Sequence, residues 1–437
     1  ELAKKEVGLG GKENMGNGLC VETSSSWSVF DWLDKVLGNI GAYAGIKLRR
    51  DDDSIDRLSH HFTVVILIIF TVIVSTQQYV GDRIQCWCPA QFTEAHVAYT
   101  NHFCWVSNTY HIPFEEVIPV HDEPKKETMI TYYQWVPMIL LFMALMFKMP
   151  RLIWKTMTST AAFSLDDLCT MLFGIQLCKK DERDEKMADV IDYLHNYFQT
   201  ATLYSKGYCY SLRMKIARYS CFICGRRYGN FFFTSAIFVK CLYVSNAIAQ
   251  FFLLNDFLGA EFSLYGFEVL NGMLAEDNNH VTHSPRFPRV TLCDFKIRQL
   301  QNIHQYTVQC VLPVNLFNEK IFIFIWFWFL FVACVSAYGL VITLYNSLVP
   351  PRKIHFIKKH LKLRKMYATD KDNPRQSRAD RSLMKQFEAD YLKVDGVFIL
   401  HVVCKNASDI VAGDLIAGLW TKFQECKKND SNGEGYV

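Results

Sequence analysis

Residues 62–79 (FTVVILIIFTVIVSTQQY) run for 18 positions without a charge. As an α-helix rising about 1.5 Å per residue, such a run nearly crosses the ~30 Å hydrocarbon core of a bilayer. It lacks the polar stripe of a helix packed on a soluble core. Three further blocks follow. Residues 135–154 hold only Lys148 and Arg151, both near the far end, where long side chains reach the headgroups. Pro137 falls in the first turn of this block, where a missing N–H costs least. The third block begins at Phe231 and ends by Leu258, and the fourth covers residues 321–348, opening on FIFIWFWFLF from Phe322. Apolar residues here are continuous rather than alternating, which excludes the strands of a membrane barrel. The expectation is an all-α membrane protein, a bundle of four transmembrane helices.

Four spans place both ends of the chain on one side, and basic residues choose the side. Lys47, Arg49, Arg50 and Arg57 precede the first span. Arg151, Lys155, Arg213, Lys215, Arg218, Arg226 and Arg227 lie between the second and third, and Arg352, Lys353, Lys358 and Lys359 follow the fourth. Residues 80–131 carry Arg83, Lys125 and Lys126 against seven acids, among them Glu115, Glu116 and Asp122, and fit the outside. The expected order is an unstructured extension (1–31), a short helix and linker (32–61), the first span (62–79), outer loop one (80–131) and the second span (132–154). A cytoplasmic helical loop (155–230), the third span (231–258), outer loop two (259–320), the fourth span (321–348) and a helical cytoplasmic tail (349–437) follow. The first span has no cleavage site behind a short apolar core, so it reads as retained.

In the cytoplasmic loop, Met187, Val190, Ile191, Leu194, Tyr197 and Phe198 recur at helical spacing. Residues 367–381 are charged and poor in apolar side chains, and read as a linker. The net charge of +4 leaves no basic excess for nucleic acid; membrane lipid is the surface this chain meets. No nucleophile beside a base and no metalloprotease motif appears, so neither an enzyme nor a cofactor is expected. Lys240, well inside the third block, implies either an aqueous vestibule or a partner, or else a snorkelling stem. Seven histidines in the outer loops read as solvated side chains rather than a proton or zinc sensor. Cys221 and Cys224 form a lone CxxC without a second pair, which reads as two thiols and not a zinc site.

Of the 15 cysteines, Cys86, Cys88 and Cys104 fall in outer loop one, Cys293 and Cys310 in outer loop two. The exoplasmic side is oxidising, so pairing is expected there. Cys86 and Cys310 lie nearest their spans, Cys104 and Cys293 farther out. Joining near with near and far with far keeps each pair at one height, within usual Cα separations of about 4.4–6.8 Å. The expected bridges are Cys86–Cys310 and Cys104–Cys293, with Cys88 left over.

The residues around these features resemble the innexins, the gap-junction subunits of invertebrates, which are related to pannexins. Tyr132, Tyr133, Gln134, Trp135 and Val136 match the family's YYQW[VI] signature. Ile84-Gln85-Cys86-Trp87, Phe287-Pro288-Arg289, Cys293-Asp294-Phe295, Asn318-Glu319-Lys320 and Asp395-Gly396-Val397-Phe398 resemble the family at corresponding places. Cys88 is an addition to the family's two cysteines per loop, and Arg83 stands where proline is frequent. Connexins, with three cysteines per outer loop, and claudins, with a pair in the first loop only, resemble it less.

The resemblance implies a ring of six to eight subunits, homomeric or mixed with other innexins, whose outer loops dock onto a hemichannel of a neighbouring cell at the plasma membrane. It also implies a short amino-terminal helix in the pore, and the matching segment includes Trp32, Leu33, Asp34, Lys35, Val36 and Leu37. The outer loops hold no N-x-[ST] sequon, which leaves docking sterically open. An undocked pannexin-like channel releasing small anions such as ATP, and a four-span adhesion or receptor protein without a pore, are the alternative readings.

Overall fold

A computed structural model describes residues 52–113, 129–159, 163–176, 178–203, 229–258, 262, 264–274, 286–367 and 374–431. Helix α1 spans Ser54–Tyr79, with one π-helical turn at Leu58–Phe62. Strand β1 (Gln85–Trp87), helix α2 (Glu94–Val106) and strands β2 (Thr109–Tyr110) and β3 (Met129–Ile130) lead to helix α3 (Val136–Ser159). Helices α4 (Leu165–Ile175) and α5 (Lys180–Leu203) precede the long α6 (Phe231–Leu258) and short α7 (Tyr265–Leu274). Strands β4 (Val290–Gln299) and β5 (Asn302–Val311) form a hairpin before α8 (Pro313–Leu348). The tail folds as α9 (Pro350–Leu363), α10 (Pro374–Gln386), a π-helical turn (Phe387–Leu392), α11 (Lys393–Asn406) and α12 (Asp409–Ser431).

Helices α1, α3, α6 and α8 are, among the described residues, the four long and apolar enough to cross a membrane. They pack in ring order: α1 on α3, α3 on α6, α6 on α8, and α8 back on α1. Aromatic side chains fill the seams, with Phe147 against Phe329 and Phe251 against both Trp326 and Phe329. Other apolar side chains on the same helices, such as Ile69, Val72, Leu145, Phe252 and Val341, stay exposed, the pattern of a bundle that meets lipid or neighbouring subunits rather than water. The helix bounds differ from the apolar blocks for physical reasons. Helix α1 starts at Ser54 because its polar first turns find ionic partners, and α8 starts at Pro313, whose fixed φ suits the first helical position. Helix α3 starts at Val136, after a 3₁₀ turn at Tyr132–Gln134.

At one end of the bundle the two interhelical loops share a five-stranded antiparallel sheet in the order β1-β5-β4-β2-β3. The β4–β5 hairpin pairs ten residues on each side, from Val290 with Val311 to Gln299 with Asn302. Strand β1 joins the far edge in register Cys86 with Cys310, and Tyr110 of β2 meets Leu292 of β4. Beneath the hairpin, α7 lies against α8 so closely that a Cβ on Gly266 would fall 2.0 Å from the Trp326 ring. Only glycine fits there.

At the opposite end, α4, α5, α9, α11 and α12 build a helical domain around Leu172, Leu194, Phe387, Val397, Leu415 and Trp420. The stripe on α5 faces this core: Met187, Val190, Leu194 and Phe198 are buried. The expected linker 367–381 is corrected at its second half, since α10 begins at Pro374. Proline is tolerated at a helix start, and Met384 and Phe387 give the helix something to bury. Residues 368–373 of that linker lie outside the described residues.

Candidate functional site: the stapled loop module and the base of the bundle

The loop module is held by two cystines. Cys86 bonds Cys310, with Cα atoms 3.9 Å apart, and Cys104 bonds Cys293, with Cα atoms 5.8 Å apart. Each bridge joins the first loop to the second. They do not sit at two heights, as separate near and far pairs suggest, because the sulfurs of Cys86, Cys104 and Cys310 lie within 4.8 Å of one another. The cause is the hairpin, which pairs Thr291 with Cys310 and so brings Cys293 beside it, with α2 supplying Cys104. Cys88 carries no disulfide.

The residues of the YYQW segment bind this module to the bundle. The Tyr133 hydroxyl donates to the Trp105 carbonyl at 3.1 Å, and the Gln134 amide donates to the same carbonyl and to Asn108 Oδ1. The Tyr132 hydroxyl donates across to the second loop, to the Arg286 carbonyl at 2.9 Å. Gln78, at the end of α1, donates to the Tyr133 carbonyl at 2.7 Å. Val136 is buried in the bundle, whereas Trp135 is exposed where the bundle meets the module. Three consecutive residues, Tyr132, Tyr133 and Gln134, together with Gln78, thus tie α1, α2, α3 and the second loop together.

A matching set fastens the second loop to α8. Asn315 donates to the Pro288 carbonyl at 2.8 Å, Arg289 pairs with the buried Glu319 at 2.9 Å, and the Phe287 ring stacks on Phe322. Arg83 donates through Nε to the Gln78 carbonyl at 2.8 Å, satisfying an acceptor in the last turn of α1. Of the outer-loop histidines, His96 closes a capping box with Thr93 and His111 bonds the Val290 carbonyl. His121, His280 and His283 lie outside the described residues.

The base of the bundle carries buried charge. Lys240 of α6 reaches Asp53 Oδ2 at 3.0 Å and Asp56 Oδ2 at 2.7 Å, which resolves the two readings of this residue in favour of acidic partners. Lys405 of α11 meets the other oxygen of Asp53 at 2.9 Å. Asp52 bonds His60 at 2.9 Å and pairs with Arg151 of α3. The start of α1 is therefore clamped to α3, α6 and the tail. The signals for it were present in the sequence: acids immediately before an apolar run, and one lysine inside another.

Beside this base, Asp395 of α11 caps the amino end of α6, its carboxylate accepting from Phe233 N at 3.0 Å, while its own N–H donates to the Gly229 carbonyl at 3.0 Å. Gly229 has φ +67°, a conformation in which a side chain is strained. Burial pushes the Asp395 carboxyl up to about 6, against the backbone N–H groups of Phe231, Phe232 and Phe233, which favour its anion. The pore-segment candidates Trp32, Leu33, Asp34, Lys35, Val36 and Leu37 lie outside the described residues, as do Cys221 and Cys224.

The innexin family profile matches residues 52–423, which span the bundle, the stapled module and nearly all of the tail. The chain belongs to the innexin family. Innexin unc-9 of Caenorhabditis elegans is 35% identical over 387 residues, covering 89% of this chain and 96% of that protein. Innexin-19 of Caenorhabditis briggsae is 32% identical, covering 87% of this chain and 88% of its own. Innexin-3 of Caenorhabditis elegans is 33% identical, with shares of 86% and 84%. This innexin is a multi-pass membrane protein and a gap-junction channel subunit that acts in an oligomer with other innexin subunits.

Proposed function

We propose that six to eight subunits of this innexin, alone or mixed with others, ring a pore, and that the stapled module faces the intercellular gap and docks onto an opposing ring. Both ends of the chain then lie in the cytoplasm, at the plasma membrane of a junction. The basic residues around the helical end support this orientation, since Arg151, Lys155, Lys353 and Lys359 all sit there. The observation that carries the docking is the double cystine joining both loops in one sheet. A rigid surface loses little freedom on association, so more of the contact energy appears as affinity.

The hairpin sets the geometry. Ten residues at about 3.3 Å each carry its turn roughly 33 Å from the entry to α8. At that turn Leu300 is 94% exposed, an apolar tip on a long lever. At the other end, the clamp on Asp52, Asp53 and Asp56 fixes the point where the chain enters α1. Dye transfer between paired expressing cells tests the reading. Passage from cell to cell supports it, dye uptake from the medium alone indicates an undocked channel, and neither indicates a protein without a pore.

A further inference from the structure

Helix α9 leaves the membrane directly behind α8, and its His360 is the most unusual side chain in the tail. It is 1% exposed, yet neither ring nitrogen has a hydrogen-bond partner among the described residues. A buried imidazole normally fills at least one of these positions, because an unmet polar atom in a dry site costs about 1–3 kcal/mol. Two potential ligands converge on it. A ring nitrogen of His360, Cys404 Sγ at the end of α11 and a carboxylate oxygen of Asp409 at the start of α12 all lie within 4.8 Å of one another. Cys404 donates its thiol proton to Asp409 Oδ1 at 2.7 Å, so sulfur and oxygen already face each other.

We propose that His360, Cys404 and Asp409 form a zinc site that clamps the helix leaving the fourth span to the last two helices of the tail. The donor set is one nitrogen, one sulfur and one oxygen, which suits a borderline-soft divalent ion and matches neither the all-oxygen shell of calcium or magnesium nor the all-sulfur shell of an iron–sulfur cluster. Ligand bonds of about 2.0–2.3 Å on a tetrahedral ion place donors about 3.3–3.6 Å apart. Cys404 Sγ and Asp409 Oδ1, 2.7 Å apart, would part slightly to take up an ion, and the His360 ring nitrogen, within 4.8 Å of both, would swing toward it. Asp409 is exposed, so an ion has a path in and water can take the fourth position.

The protonation states agree with this chemistry. Burial lowers the His360 imidazole, leaving it neutral and able to ligate, and Asp409 is held low, first by the hydrogen bond from Cys404, so it is anionic. Burial and the Asp409 contact push the Cys404 thiol up to about 12 in the metal-free site. When zinc enters, the S–H bond breaks, an S–Zn bond forms and the proton passes to solvent. Lys359, 3.2 Å from Asp409 Oδ2, gives up part of its ion pair, which is exposed and weak.

Cobalt(II) titrated into the purified full-length assembly reports a thiolate ligand through a near-ultraviolet charge-transfer absorption. The expected result is that this absorption appears, persists when Cys221 and Cys224 are both replaced by serine, and disappears in Cys404→Ser. Zinc affinity, measured by chelator competition, should fall at least about 100-fold in His360→Ala and in Cys404→Ser, beyond the 10–100-fold cost of losing an indirect support. Cys404→Ser keeps the size of the side chain and its hydrogen bond to Asp409, and its elution and melting as an assembly check that it folds. Absence of the absorption, or its survival in Cys404→Ser, overturns the site.

Discussion

At Lys240 one ammonium faces Asp53 and Asp56, and Asp53 also receives Lys405, so charge is shared among α1, α6 and α11 rather than left in the bundle. Removing one member of a buried pair leaves the other uncompensated and costs about 3–5 kcal/mol. Lys240→Met should therefore lower the melting temperature of the detergent-purified protein sharply. Adding Asp56→Asn should recover part of the loss, and a single variant that melts like wild type contradicts the clamp. Asp395 makes a prediction in pH. Its folded-state value, about 6, lies above the ordinary 3.8, so the folded protein takes up a proton that the unfolded chain releases. The stability contribution is full below pH 3.8 and is lost as pH rises through about 6, amounting to about 3 kcal/mol. Melting curves of wild type and Asp395→Asn should diverge across that window, with wild type gaining relative stability toward acid; parallel curves would show that the buried carboxyl does not titrate there.

The loop module behaves as one element because both cystines cross between loops. Cys104→Ser should cost about 2–4 kcal/mol in the module and abolish docking while leaving the bundle folded. Electrophoresis of the assembly and junctional conductance measure the two effects separately. Leu300→Asp tests the hairpin tip alone: surface expression should be unchanged, and junctional conductance should fall at least about tenfold, the equivalent of ~1.4 kcal/mol of docking free energy in all. The spans were plain in the sequence because apolar runs of this length have few other uses. The sheet was not, since β1, β2 and β3 are two or three residues long, leaving no local period to read, and β1 and β2 pair with strands some 200 positions away. The linker at 367–381 misled for a related reason: α10 is polar almost throughout and is held by what it packs against near Met384.

For the whole molecule, ring order of the four spans, a stapled sheet at one end and a helical domain at the other make a subunit whose two ends are each held by their own contacts. The resemblance carried by YYQW was legible as a pattern, but its physical content was not: the tyrosine hydroxyls and the Gln134 amide tie both loops to the head of α3, and Gln78 of α1 ties to the Tyr133 carbonyl, which only folding reveals. The central claim is that such subunits meet across a cell gap. Junctional conductance between paired oocytes expressing this chain measures it most directly. The account predicts conductance between wild-type pairs that vanishes when either partner carries Cys86→Ser. Conductance across the unpaired membrane of each cell with none between the cells would contradict it.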